Sequence, residues 1–190
     1  MNPLAQFGRW YAAAKKAKAA EIDAVAVATA DRRARPSVRY VYVKIVDERG
    51  FVFCTNATSR KARELDSNPR ASLVYFWQEL GYQIRVTGRV EEISRAEAES
   101  TWRARERGHQ LGTIASRQSR PLRSRAELEK RHSALQRQYA GIDVPCPSTW
   151  VGYRVVPDEI EFWQRVADRL HARELFTRRG RRWARTLLNP

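Results

Sequence analysis

Apolar positions recur at helical spacing near the start of the chain. Leu4, Phe7, Trp10, Tyr11 and Ala14 predict an amphipathic first helix within residues 3–20. The pattern then changes period. "IDAVAVATA" (22–30) is a Val- and Ala-rich run that reads as a buried strand, and "DRRARPS" (31–37) has turn character through Asp31 and Pro36. "VRYVYVKIV" (38–46) is strongly β in type, and "DERG" (47–50) predicts a hairpin turn into "FVFCT" (51–55). A short helix over about 59–66 ends before "NPR". Strands are expected at "ASLVYFW" (71–77) and "YQIRVTGRVEEI" (82–93).

The tetrad "SRAE" occurs at 94–97 and again at 124–127. Serine three residues before glutamate is the capping-box pattern, so each copy predicts a helix start. Between them "RERGHQLGTIASRQSRPL" predicts a loop with short helical turns, and "GIDVPCPSTW" (141–150) a proline-marked connection. "WVGYRVVP" and "EIEFW" predict two further strands, and "ELFTRRGRRWARTLL" a closing hairpin that turns at Arg179–Gly180. Short turns between strands, without regular alternation of strand and helix, predict a mainly β chain of α+β type. The expected form is an antiparallel barrel or sandwich with peripheral helices, as one domain over 1–190.

Composition narrows the class. Of 190 residues, 43% are hydrophobic and 30% charged, which fits a globular chain and excludes disorder. No stretch approaches the roughly 20 apolar residues of a membrane span, and the N-terminus lacks a signal-peptide pattern. Cys54 and Cys146 lack zinc-ligand spacing, so no metal is expected and a reducing, cytoplasmic setting is the simplest expectation. The 36 Lys+Arg against 21 Asp+Glu give a net charge of +15, which points to anionic partners: nucleic acid, phosphate-bearing small molecules or acidic surfaces.

Four stretches could carry chemistry. In "RYVYVK" strand alternation sets Arg39, Val41 and Val43 on one face and Tyr40, Tyr42 and Lys44 on the other. A lysine in so apolar a strand needs a partner or the barrel rim. In "TNATSRKARE" a strand ends at Thr55, and Thr58 or Ser59 caps a helix whose first turn carries Arg60 and Lys61. Free N–H groups, hydroxyls and two cations at one helix start suit a phosphate. "RQS" (Arg117, Gln118, Ser119), with Gln83 upstream in a strand, offers amide and hydroxyl groups for a polar ring edge or for loop backbone. In "EFWQRVADRLHARE", a strand over 169–173 would put Arg169, His171 and Arg173 on one face beside Trp163, whereas a helix would spread them around its axis. There is no Walker loop, GxGxxG, GxSxG or HExxH.

In this order, "RYVYVK", "FCTNATSRK", "RQS" and "IEFWQ…RLHAR", with "LNP" at the end, resemble the pyridoxine/pyridoxamine 5′-phosphate oxidase family. The resemblance implies an FMN-binding split antiparallel β-barrel and a homodimer with two FMN molecules at its interface. It implies an FMN site of Arg39, Lys44, Thr55, Arg60, Lys61, Gln83, Gln118, Ser119, Trp163 and Arg173. It implies substrate contacts from Lys44, Arg105, Arg169 and His171, with Arg169 and His171 orienting the substrate, and His109 is a further candidate. The implied reaction is hydride transfer from a B6 phosphate to FMN, with reoxidation by O2 to hydrogen peroxide. An alternative is a related FMN oxidase of the phenazine-biosynthesis type acting on a reduced aromatic ring. A basic nucleic-acid-binding protein is a third reading, disfavoured because no nucleic-acid module is present. The chain departs from the family's usual residues at Cys54 and Thr101 (tyrosines), His109 (serine) and Arg165–Val166 (a glycine pair). The family's Arg-Arg-Glu-Tyr stretch before the first helix has no counterpart here.

Overall fold

The computed structural model describes residues 2–190. Helix α1 (Pro3–Lys16) is opened by Asn2, whose side chain accepts from the Leu4 N–H, and by Pro3, which has no N–H to satisfy. It stops short of the expected limit at residue 20: Lys18 and Glu21 take left-handed backbone angles that end the helix. Strands β1 (Ala24–Ala30), β2 (Pro36–Asp47) and β3 (Gly50–Asn56) follow, then helix α2 (Arg60–Ser67) and strands β4 (Arg70–Trp77) and β5 (Tyr82–Glu92). Helices α3 (Arg95–Arg103), α4 (Arg107–Ala115) and α5 (Arg125–Gln138) lead to β6 (Trp150–Gln164), β7 (Ala172–Arg179) and β8 (Arg182–Leu187).

All pairings are antiparallel. The order β3-β2-β1-β4-β5-β6, with β3 also paired to β6, closes six strands into a barrel, and β7 and β8 extend from β6 outside the ring. This is the helix-flanked antiparallel barrel that the element order predicts. The inward residues follow strand alternation: Val25 and Val27, Phe51 and Phe53, Leu73 and Tyr75, Ile84 and Val86 are all buried. Helix α1 closes one mouth. Phe7 meets Phe51, Tyr75 and Trp77 with ring centroids 5.1, 5.2 and 6.2 Å away, and Trp10 stacks on Tyr82 at 4.0 Å. A second core lies outside the barrel, where Val52, Ile93, Ala98, Trp102, Leu111 and Trp150 pack the helical segment onto β3 and β6.

Several expectations change. Residues 107–115 form a complete helix rather than a loop with short turns, held by buried Gln110, Leu111 and Ala115. The first "SRAE" makes a full capping box. In the second, Ser124 accepts from the Glu127 N–H without the return bond, and the Glu127 carboxylate lies 4.0 Å from Arg131 instead. The two strands expected at 150–163 are one, β6, which passes through Pro157 without a break. Pro157 lies opposite Gly88 at a register shift between Thr87 and Gly88, where a missing N–H and a missing side chain are both tolerated. A second bulge, between Val43 and Ile45 of β2, leaves Lys44 and Ile45 both exposed.

The strand expected over 169–173 begins only at Ala172. Residues Ala167–Arg169 form a single 3-10 turn in which Asp168 (φ 55°) and Arg169 (φ 60°) are left-handed. That turn breaks the alternation, so Arg169 and His171 do not share a strand face with Arg173.

A Cβ on Gly88 would stand 2.0 Å from the Val156 carbonyl oxygen. Gly88→Ala is therefore expected to lower the unfolding free energy by roughly 1–3 kcal/mol, the scale of overpacking, as read by chemical denaturation.

Candidate active site

The first group of predicted site residues meets where β3 ends and α2 begins. Ser59 caps α2 by accepting from the Ala62 N–H. Lys61 is buried at 6% exposure, and its Nζ donates to Thr55 Oγ1 at 3.0 Å. Thr55 donates on to Gln118 Oε1 at 2.9 Å, which draws the "RQS" loop onto the strand end. Among the described residues no carboxylate pairs with Lys61. Burial, and then the charge of Arg39, pull its pKa down to about 8.

The other two cations of this group are paired. Glu64, itself buried, accepts from Arg60 Nε at 2.7 Å, from Ser37 at 2.6 Å, from Thr29 at 2.5 Å and from Arg39 at 3.3 Å. Burial alone would raise the Glu64 pKa. The hydrogen bonds from Ser37, Thr29 and Arg60 and the charge of Arg39 outweigh it and hold the group at about 2. Arg39 also donates to Thr29 Oγ1 at 2.6 Å.

The second group is a row across β5, β6 and β7. Gln83 is register partner to Trp163, and Trp163 to Arg173. These side chains face outward, since Ile84 and Phe162 between them are buried. Arg173 is fixed by Glu161 Oε1 at 2.8 Å and by the Asn189 carbonyl at 2.9 Å. His171 packs against Trp163 with ring centroids 4.5 Å apart. The exposed Arg169 lies in the turn beyond.

The third group surrounds Arg105. Its guanidinium lies over the Trp150 ring at 4.5 Å, and its buried Nε has no hydrogen-bond partner. Thr101 is turned away from it: the hydroxyl donates to the Ala98 carbonyl at 2.7 Å and accepts from Trp150 Nε1 at 3.1 Å. Cys54 Sγ sits 3.2 Å from the same hydroxyl, and burial pushes its thiol pKa up. His109 is exposed, 3.9 Å from Glu106.

Residues 12–139 match the pyridoxamine 5′-phosphate oxidase family, and residues 150–190 match the pyridoxine 5′-phosphate oxidase C-terminal dimerisation region. The chain belongs to the pyridoxine/pyridoxamine 5′-phosphate oxidase family. It is similar to the pyridoxine/pyridoxamine 5′-phosphate oxidases of Rubrobacter xylanophilus (48% identity, covering 100% of this chain and 87% of the relative) and Gluconobacter oxydans (47%, 100% and 94%). Among solved structures it matches PhzG from Burkholderia lata in complex with tetrahydrophenazine-1-carboxylic acid, with a TM-score of 0.96 and 37% identity over 100% of this chain and 93% of that one. An FMN-binding protein of Nostoc punctiforme related to pyridoxamine 5′-phosphate oxidase shares the fold, with a TM-score of 0.73 at 16% identity. Membership of the oxidase family makes this chain a flavin-dependent oxidoreductase.

For such an oxidase the placement of the candidates is informative. Arg39, Thr55, Arg60, Lys61 and Gln118 come together, and Gln83, Trp163 and Arg173 form a separate row. Ser119 is exposed with φ 64° and bonds to neither group. Lys44 stands on the bulge near Tyr42, beside a cleft of about 420 Å³ between α1 and β2. The oxidase family's motifs did not single out Glu64, Glu161 or Trp150. Each had a sequence signal: Glu64 lies four residues after Arg60 in a helix, Glu161 two before Trp163 in a strand, and Trp150 at the start of a strand beside the helical segment.

Lys61→Met should remove a poorly compensated buried charge. The flavin-free protein should gain about 0.5–2 kcal/mol of stability while losing its affinity for phosphate-bearing ligands. Denaturation and phosphate titration together check this.

Proposed function

We propose that this chain is an FMN-dependent oxidase of pyridoxine or pyridoxamine 5′-phosphate. The observation that carries the reading is Lys61, a buried ammonium with hydroxyl but no carboxylate compensation, at a helix start with Arg39 and Arg60 alongside. That is the donor set a phosphate monoester requires. When bound, FMN would supply the two-electron acceptor for the hydride lost from the substrate's C4′ carbon, with O2 as the final oxidant giving hydrogen peroxide. Lys61, Thr55 and Arg39 hold the phosphate end, with Glu64 keeping Arg39 and Arg60 extended toward it. Trp163 walls the ring system, Gln83 and Arg173 offer polar contacts beside it, and Glu161 keeps Arg173 in place. His171, Arg169, Lys44 and Arg105 receive the substrate.

The two flavin-binding groups cannot serve one molecule within one chain. Arg39 lies on the barrel-facing side of β2, in step with buried Val43, whereas Gln83 and Trp163 face outward. Thr55 is register partner to Val151 of β6, and Trp163 stands far along that same strand, at about 3.3 Å per residue roughly 40 Å of strand length away. A homodimer resolves this by setting one protomer's Lys61 group against its partner's Trp163 row. Two features support that arrangement. The row falls within the matched dimerisation region, residues 150–190. The outer barrel face also carries an apolar surface: Val38, Tyr40 and Tyr42 are 69%, 77% and 57% exposed and stand opposite the small residues Ala28, Ala26 and Ala24. A patch of this kind calls for a partner.

A second reading has its own observation. With Thr101 bonded inward and His109 exposed beside Glu106, Arg105 remains as the cation of the substrate-anion grip in its cluster, with one 3.4 Å bond to Thr113 Oγ1 and an unpartnered Nε. A single guanidinium suits a carboxylate as well as a phosphate. An aromatic acid is thus the alternative substrate, in line with the ligand of the PhzG complex.

Purified protein is expected to be yellow and to release FMN on denaturation. Anaerobic pyridoxine 5′-phosphate should bleach it on a catalytic timescale. Bleaching only by a reduced aromatic carboxylate would transfer the assignment to the second reading, and colourless protein that cannot be reconstituted would end both.

Mixed dimers test the shared site. Co-expression of Lys61→Met chains with Trp163→Ala chains should recover flavin binding at up to one site per heterodimer, whereas each variant alone binds little. No recovery would contradict a site built from two chains.

A further inference from the structure

The segment between β6 and β7 makes a specific statement about His171. The Val166 backbone N–H donates to His171 Nδ1 at 3.2 Å, across the turn formed by left-handed Asp168 and Arg169. The turn is closed beneath by the Leu170 N–H donating to the Ala167 carbonyl at 3.1 Å, and anchored at its start by the Arg165 N–H donating to the Gly81 carbonyl at 2.8 Å. Two consecutive left-handed residues without glycine are a strained arrangement that persists only where the surroundings hold it. Here the result is a clip that folds the imidazole back onto its own backbone and against Trp163.

A backbone N–H can donate only to a nitrogen that carries no hydrogen, so Nδ1 must be bare. In the neutral ring the proton then resides on Nε2. Among the described residues Nε2 has no hydrogen-bond partner, and the ring is only partly exposed alongside Trp163. We infer that the 166–171 clip fixes His171 as the Nε2–H tautomer, so that it meets the substrate as a hydrogen-bond donor and not as a proton acceptor. The substrate it fits presents an acceptor atom, a phenolate or carbonyl oxygen or an unprotonated ring nitrogen, at the edge of the flavin-facing wall. This deepens the oxidase reading and rests on it for the substrate, but the tautomer itself follows from the geometry alone.

The same geometry separates two substitutions. Glutamine can place an amide N–H near the position of Nε2, and asparagine near that of Nδ1. His171→Gln keeps the outward donor and His171→Asn forfeits it.

The test uses flavin-loaded protein labelled with 15N at histidine. The chain has only 3 histidines, and the signal lost in His171→Gln identifies His171. Long-range nitrogen–proton correlation is expected to show hydrogen on Nε2 and none on Nδ1, and the Val166 amide should exchange faster in His171→Ala than in the wild type. Hydrogen on Nδ1, or a Val166 amide indifferent to the substitution, would overturn the clip. With whichever substrate bleaches the flavin, His171→Gln should retain at least about tenfold more kcat/KM than His171→Asn. Equal losses in the two variants, at equal flavin content, would overturn the donor role. If no substrate bleaches the flavin, the oxidase reading fails while the spectrum still decides the tautomer.

Discussion

The site depends on an ammonium that the fold has buried and left without a carboxylate. Lys61 could have been neutralised by Glu64, one helical turn away, but that carboxylate is spent on Thr29, Ser37, Arg39 and Arg60. The division has a physical consequence. Glu64 stabilises the scaffold at every pH above the ordinary carboxylate range, because its folded pKa is depressed to about 2 and its contribution fades only as pH falls toward that value. Lys61 does the reverse. Its folded pKa is depressed to about 8, so the empty protein is least favoured when the group must be charged and gains stability as pH rises from about 8 toward the unfolded value. An anion bound beside Lys61, as proposed, would relieve this penalty.

The barrel explains why such a group can be held in place. Lys61 sits on a helix fixed by the buried Ala62 and Leu65, and its hydroxyl partner Thr55 ends a strand paired on both sides. The Trp163 and Arg173 row is just as firmly built, on β6 and β7 and under the Asn189 carbonyl. The two sets are separated by the barrel wall, so the fold that makes each rigid also prevents one chain from joining them. In the proposed shared flavin site, dimerisation would be a requirement of the chemistry rather than an addition to it.

Much of this was legible in the sequence. Alternation in "VRYVYVKIV" gave the strand and its two faces, and the serine before Arg60 and Lys61 gave the helix start that brings those two cations beside Thr55. The tail was not legible in the same way. "RVADRLHAR" alternates as a strand would, but Asp168 and Arg169 adopt left-handed angles that no periodicity signals, so the concerted cationic face of Arg169, His171 and Arg173 does not form. The full helix at 107–115 was hidden by two glycines, and its burial against α3 and Trp150 overrode their weak propensity. The inward turn of Thr101 depends on a tryptophan 49 residues away, which local pattern cannot report.

On the proposed reading, the buried Lys61, which no carboxylate among the described residues pairs directly, receives the phosphate of the flavin. The most direct measurement is the affinity of the flavin-free protein for FMN and for riboflavin, which lacks that phosphate, from pH 7 to pH 9.5. FMN is expected to bind more tightly by a factor on the order of 10 to 100, the worth of a charge-assisted contact, and the advantage should shrink as pH rises through and above about 8. Equal affinities for the two flavins, or an FMN advantage that does not change across that range, would contradict it.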